Sequence, residues 1–219
     1  MIKALAMDAN GVLYYRNEEV VDSVQRYLKE EIGLRFDEVA ARSYYFQCQD
    51  EAFEEKISIK EMMRRYVDFL GVRDPQIREE IPVKIIYFSE RIHLFPEEAA
   101  TLRELKKRGV ILGVISNSIH SAKEKMRWFE KAGIGSLIDI MISSIDEKCK
   151  KPDEAIYRIF LDRAGLSPEE AAFMGHDEKE IRPAQRLGLT TICFKCSRGI
   201  ADYNLKSFGD LLNVPGLPP

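Results

Sequence analysis

No stretch of the 219 residues approaches the roughly 18 consecutive apolar residues of a membrane-spanning helix, so no span is expected. Positive charge is also not in excess. Lys and Arg number 33 against 36 Asp and Glu, a net charge of -3, which withholds the broad basic field that nucleic-acid binders use. Cysteine is sparse, confined to Cys48, Cys149, Cys193 and Cys196. No signal-peptide pattern precedes the first apolar run, and Met1-Ile2-Lys3-Ala4 enters a strand directly. A cytoplasmic location and free thiols are therefore the default expectation. Cys193 and Cys196 make a C-x-x-C with no second pair nearby, so two packed thiols are expected over a redox or metal motif. Internal repeats and low-complexity segments are missing as well. These absences are those of a soluble globular protein, and they leave monomer and homodimer both open.

Short apolar runs at residues 2–7, 110–115, 138–143, 171–174 and 190–194 read as buried strands, each followed by turn residues. Helical patterns separate most of them, at 96–107, 118–132, 152–164 and 181–187, and Gly109, Gly133, Gly165 and Gly188 act as stops. Strand–helix alternation with short links predicts an α/β fold, a doubly wound, mostly parallel, Rossmann-like sheet. Residues 18–89 break that rhythm and read as helices only, at 20–32, 36–47, 59–70 and 75–90. The predicted organisation is a core of residues 1–16 and 93–219 with an inserted all-helical domain at 17–92. The aromatic run Tyr44-Tyr45-Phe46 is expected in the core of that helical block.

Four tracts at strand ends carry the chemistry. Asp8 closes the first strand and opens Asp8-Ala9-Asn10-Gly11-Val12-Leu13. Ser116-Asn117-Ser118 follows the second, Lys151-Pro152-Asp153 comes after the third, and Gly175-His176-Asp177 follows the fourth. A doubly wound sheet can bring such points to one crevice beyond its carboxyl edge. Together they supply a nucleophilic carboxylate, hydrogen-bond donors, a lysine counter-charge and an acidic tract for a metal. That is a kit for group displacement through a covalent aspartyl intermediate.

In order and spacing these tracts resemble the four motifs of the haloacid dehalogenase-like (HAD) hydrolase superfamily, across residues 1–13 and about 93–212. The helical insertion resembles a type C1 cap, which would close over the core and choose the substrate. The resemblance implies that Asp8 attacks the substrate, that Ser116 and Asn117 hold the transferring group, and that Lys151 neutralises the intermediate. It implies Mg2+ held by Asp8, the backbone carbonyl of Asn10 and the motif IV residues His176 and Asp177, with Glu180 in the place of that motif's second acid. Tyr14, Tyr15, Arg16 and Arg42 are candidate substrate contacts at or in the cap.

Two residues depart from the pattern. Phosphatases of this superfamily have Asp where Asn10 stands, to protonate the leaving group and activate water. Asn10 is isosteric but cannot exchange a proton, and general acid–base catalysis is typically worth about 10²–10⁴ in rate. His176 stands where an Mg2+-ligating Asp is usual. Imidazole suits Mn2+ or another transition metal better than Mg2+, and His176 could carry the proton that Asn10 cannot. His120 is a second proton-carrier candidate, and His93 is expected to be structural. The favoured function is a phosphatase of a small phosphorylated metabolite acting through Asp8. A carbon–halogen or carbon–phosphorus hydrolase is an alternative, and the dehalogenase branch needs no metal. The other alternative is a HAD-fold ligand-binding or regulatory protein with little turnover, because of Asn10.

Overall fold

The computed structural model describes residues 1–53, 56–196 and 199–219. It divides into two compact units, Met1–Tyr15 with His93–Pro219, and Arg16–Ile92. In chain order the elements begin with β1 (Ala4–Asp8). The helices α1 (Val20–Glu30), α2 (Glu38–Phe53), α3 (Ile59–Phe69) and α4 (Pro75–Ser89) follow. The chain continues through α5 (Glu98–Lys107), β2 (Ile111–Ser116), α6 (Ala122–Lys131), β3 (Ile140–Ser143), α7 (Ser144–Glu147) and α8 (Glu154–Ala164). It ends with β4 (Ala171–Gly175), α9 (Glu178–Arg186), β5 (Thr190–Phe194) and β6 (Tyr203–Leu205).

The first unit is built on one parallel six-stranded sheet in the order β3-β2-β1-β4-β5-β6. Strands covered on both faces need continuous apolar sequence rather than alternation, and every residue of β1 and β4 is buried. Five strands follow from the sequence. The sixth, β6, is a three-residue edge strand of mixed polarity, too short to produce a pattern. The helices lay apolar stripes on this sheet, and α6, α8 and α9 are started by side-chain caps. Ser121 and Glu124 form a reciprocal capping box on α6, and Asp153 and Asp177 accept amide hydrogens at the starts of α8 and α9. Gly113 is needed for packing: a Cβ there would lie 2.3 Å from the Phe160 ring, which uses that space to seat α8 on β2. No helix of the described residues is long and apolar enough to cross a membrane.

Strand order reverses at β1, whose neighbours β2 and β4 connect onward in opposite directions. Asp8 pairs in register with Ile115, Met7 with Met174, and Ser116 with Ser143. The carboxyl ends of the three central strands thus lie side by side at the switch point, where α/β sheets hold ligands. At the end of β5, Cys193 and Cys196 are joined as a disulfide in place of two packed thiols. Lys195, at φ 55°, turns the backbone between them, and the two Cα atoms lie 5.9 Å apart, within bridging range.

The second unit packs α1 to α4 as helices among its described residues. Tyr45 is buried edge-to-face against Tyr66, with ring centres 5.1 Å apart, and Tyr44 stacks on Phe69 at 4.4 Å. The aromatic run therefore packs largely within the bundle, as its helical spacing predicts. Helix α2 runs to Phe53, beyond the expected end near 47, because no glycine or proline stops it there.

One buried acid in the first unit has a consequence for stability. Glu98, in the first turn of α5, is fully buried. Its Oε2 accepts the Phe95 amide at 2.9 Å, while Oε1 has no hydrogen-bond partner among the described residues. Burial pushes the carboxyl up from 4.5 to about 8, against the Phe95 hydrogen bond. A raised folded-state pKa gives stability that is complete below the unfolded value and lost as pH rises through the folded one. Stability should therefore fall between about pH 4.5 and pH 8, with a slope approaching about 1.4 kcal/mol per unit. Glu98→Gln mimics the neutral acid. Its advantage over the parent should grow across that interval by on the order of 3 kcal/mol, read from urea midpoints. Parallel pH profiles of the two proteins would contradict this.

Candidate active site

Asp8 ends the central strand, 6% exposed. The turn after it is closed by local sequence: Leu13 and Tyr14 donate backbone hydrogen bonds to the Ala9 carbonyl, and Gly11 donates to the Tyr14 carbonyl at 2.7 Å. Gly11 has φ +88°, and a Cβ there would meet the His176 ring at 3.2 Å. Glycine is required twice over, for the turn and for the close approach of the imidazole. Asn10 sits in this turn with its side chain exposed.

Three groups converge on Asp8. The Lys151 ammonium donates to Oδ1 and forms a second ion pair with Glu180 Oε1 at 2.7 Å. His176 Nδ1 lies 3.3 Å from Asp8 Oδ2 and 3.9 Å from Glu180 Oε2. His176 stands just before the Asp177 cap of α9 and Glu180 in the first turn of that helix, which brings the two side chains together beside Asp8. Lys151 is aimed by Asn117. Its amide donates to Asn117 Oδ1 at 2.8 Å, and Asn117 Nδ2 donates to the Lys151 carbonyl at 2.9 Å. The Asn117 side chain thus brackets the lysine's backbone.

The electrostatics follow from these contacts. Burial disfavours ionised Asp8, but the Lys151 charge and the His176 hydrogen bond outweigh it and hold the carboxyl well below the usual range. The Asp8 hydrogen bond raises the His176 pKa against the opposing effect of burial. Burial raises Glu180, whose attraction to Lys151 only partly compensates. Lys151 is raised: burial opposes its charge, and Asp8 and Glu180 prevail. Asp8 is therefore an ionised carboxylate held by the Lys151 ammonium on one oxygen and by the His176 imidazole beside the other.

Asp8, His176 and Glu180 each offer a ligand atom within 4.8 Å of the others. Glu180 Oε2 is buried with no hydrogen-bond partner among the described residues, so it has capacity for a ligand. One imidazole and two carboxylates fit a divalent ion, and nitrogen favours Mn2+, Fe2+, Co2+ or Zn2+ over Mg2+. Asp177, predicted beside His176 as a ligand, is occupied differently: its carboxylate caps α9 by accepting the Lys179 amide at 2.9 Å. The backbone requires that cap at the helix start, and Glu180 enters the cluster instead.

Ser116 is buried at the end of β2, and its hydroxyl accepts from Lys125 Nζ at 2.6 Å. Lys125 lies outside the four tracts that mark the site in the sequence. Its signal is positional, because it falls on the same α6 face as Trp128 and Phe129 and is only 2% exposed. Tyr14 is buried in the same unit, with its hydroxyl 3.1 Å from Lys125 Nζ. Tyr15 and His93 exchange two backbone hydrogen bonds of 2.9 Å, which gives His93 a structural place. The His120 ring packs edge-on to Trp128. Arg16 and Arg42 lie in the helical unit, where Arg16 donates to the Ser89 carbonyl and Arg42 pairs with Asp22 at 2.8 Å.

Comparison with known proteins agrees with this architecture. The chain is 26% identical over 143 residues to (S)-2-haloacid dehalogenase 4A of Burkholderia cepacia, covering 60% of this chain and 61% of that one. The alignment thus spans under two thirds of the dehalogenase. It is 28% identical over 234 residues to the glyceraldehyde 3-phosphate phosphatase of Methanocaldococcus jannaschii, covering 98% and 97% of the two chains. Among solved structures, a 2-haloacid dehalogenase from Pseudomonas syringae pv. tomato superposes with a TM-score of 0.75 at 21% identity, over 97% of both chains. The haloacid dehalogenase-like hydrolase family profile matches residues 2–188. With Asp8 closing a central strand of a parallel sheet and the family profile spanning most of the chain, this protein belongs to the haloacid dehalogenase-like hydrolases.

Proposed function

We propose that this hydrolase releases phosphate from a small phosphorylated metabolite through attack by Asp8. The observation that carries the reading is the buried, ionised Asp8 between Lys151 and His176, at the strand ends that also present Ser116. The phosphatase relative matched along nearly its full length supports phosphate esters over haloacids.

An Asp8 oxygen attacks phosphorus, and the ester P–O bond breaks with its electron pair passing to the leaving oxygen. Asn10 can hydrogen-bond that oxygen but has no proton to give, so solvent supplies it. Water then attacks phosphorus of the aspartyl phosphate, releasing inorganic phosphate and a proton and restoring Asp8. Lys151 offsets negative charge on Asp8 throughout, and Ser116 donates to a phosphoryl oxygen. Asp8, His176 and Glu180, with the Asn10 carbonyl, are the residues that would hold a divalent ion. When bound, the ion neutralises charge on the phosphoryl oxygens. The helical unit Arg16–Ile92 is read as the substrate-selecting cap, with Arg16 and Arg42 as candidates for an anionic substrate group.

The second reading, carbon–halogen hydrolysis, is favoured by the dehalogenase relative and by the lysine and imidazole already on Asp8. A panel of sugar phosphates, nucleotides and phospho-acids with Mg2+ and then Mn2+, run beside 2-haloacids with chelator, separates the two. Phosphate release, faster with Mn2+, is the expected result. Halide release in chelator with no phosphate release would replace the proposal by the second reading. Stabilisation by phosphate without turnover would make the protein a binder.

A further inference from the structure

Lys125 is a buried cation that the fold does not neutralise. It is 2% exposed, and no carboxylate of the described residues lies within ion-pair distance of it. Its ammonium has three hydrogens. Ser116 Oγ accepts one at 2.6 Å and Tyr14 OH another at 3.1 Å. The faces of Tyr14 and Trp128, with centres 5.3 and 5.5 Å away, are its remaining electrostatic partners. Neutral partners and ring faces compensate a desolvated ammonium only in part. An anion arriving near Ser116 would complete the balance.

The contact also fixes the direction of the Ser116 hydroxyl. A lysine donates and cannot accept, so Ser116 must receive with a lone pair and send its own proton elsewhere. Its other polar neighbour, the Asn117 carbonyl, is 3.5 Å away, at the outer limit of a hydrogen bond. Ser116 follows Ile115, which pairs in register with Asp8, so a group attacked by Asp8 is the natural acceptor. A cation behind the hydroxyl also makes it a stronger donor.

We propose that Lys125 is a positioning residue of the anion site, a second buried lysine that orients and polarises Ser116 toward the phosphoryl group carried by Asp8. This rests on the phosphoryl-transfer reading above. The substrate class it favours is one whose transferring group carries full negative charge, because the lysine's own charge has no protein counter-ion.

The test uses the full chain and inorganic phosphate as the probe, with binding read by calorimetry and folding by thermal unfolding. Lys125→Met keeps the stem and removes the charge. The expected result is phosphate affinity weakened about tenfold or more, with kcat/KM on the active phosphate ester lowered by at least as much. The melting temperature should hold or rise, because an unneutralised buried cation has been removed. In a Ser116→Ala background the same exchange should change affinity by under about threefold, since the two groups act as one unit. Lys125→Arg should recover part of the lost affinity. If Lys125→Met lowers the melting temperature and leaves phosphate affinity unchanged, the lysine is structural and the proposal is overturned. Equal effects in the Ser116 and Ser116→Ala backgrounds would overturn it too. A parent protein that binds phosphate and cleaves the phosphate ester while either of these holds leaves the phosphatase reading standing. A parent protein with no affinity for phosphate overturns both.

Discussion

Asp8→Asn should reduce turnover to background on whichever substrate class proves active, a loss on the order of 10⁴-fold or more. The exchange is nearly isosteric and removes only the attacking charge. Folding should survive it, because Lys151 keeps its 2.7 Å ion pair with Glu180 and β1 keeps its backbone pairings with β2 and β4. A modest stability loss of about 1–2 kcal/mol is expected from the broken buried contact, below the roughly 3–5 kcal/mol of a wholly orphaned charge. Single-turnover assays, with urea unfolding alongside, separate the two effects. Residual turnover within tenfold of the parent would show that Asp8 is not the nucleophile.

Asn10→Asp should act in the opposite direction. Supplying an acid two residues after the nucleophile restores a group able to protonate the leaving oxygen and then activate water. Phosphate-ester turnover should rise by about 10²–10⁴, and its pH profile should gain a limb from the new carboxyl. Asn10 is exposed, so the added charge stays hydrated and should cost little stability. Haloacid turnover should gain less, because carbon–halogen cleavage expels an anion that needs no proton and only the opening of the ester intermediate by water could use the new carboxyl. The ratio of the two responses therefore reports the reaction class. Unchanged phosphate release in Asn10→Asp would remove the explanation that Asn10 limits the rate.

The sheet was legible because burial on both faces forces apolar runs at β1, β2, β4 and β5, and because Gly109, Gly133, Gly165 and Gly188 mark helix ends. The edge strand β6 was not, since three residues leave no period to read. Asp8 and Ser116 were visible as residues at strand ends and Lys151 as the lysine of a tract soon after one, which is a statement about chain position. What they touch was less visible. Asp177 and Glu180 look equivalent along the chain, and only the start of α9 separates them, one capping the helix and the other lying a turn on beside His176. Lys125 resembles any solvated helix lysine until its place on the Trp128 and Phe129 face is counted. Asn117 has the composition of a ligand-binding residue, yet its amide is spent on the backbone of Lys151.

The register of β1 with its neighbours sets a scale for evolution at this site. The strand that ends in Asp8 is paired laterally with the strands that end in Ser116 and Gly175. The lateral spacing of those posts is the repeat of the sheet itself, about 4.8 Å. Mutation can change what stands on a post but cannot slide the posts apart without unpairing the core. New chemistry in this scaffold must come as exchanges in place, of which Asn10 and His176 are two. The distance from nucleophile to donor is inherited from the backbone and is common to every variant that still folds.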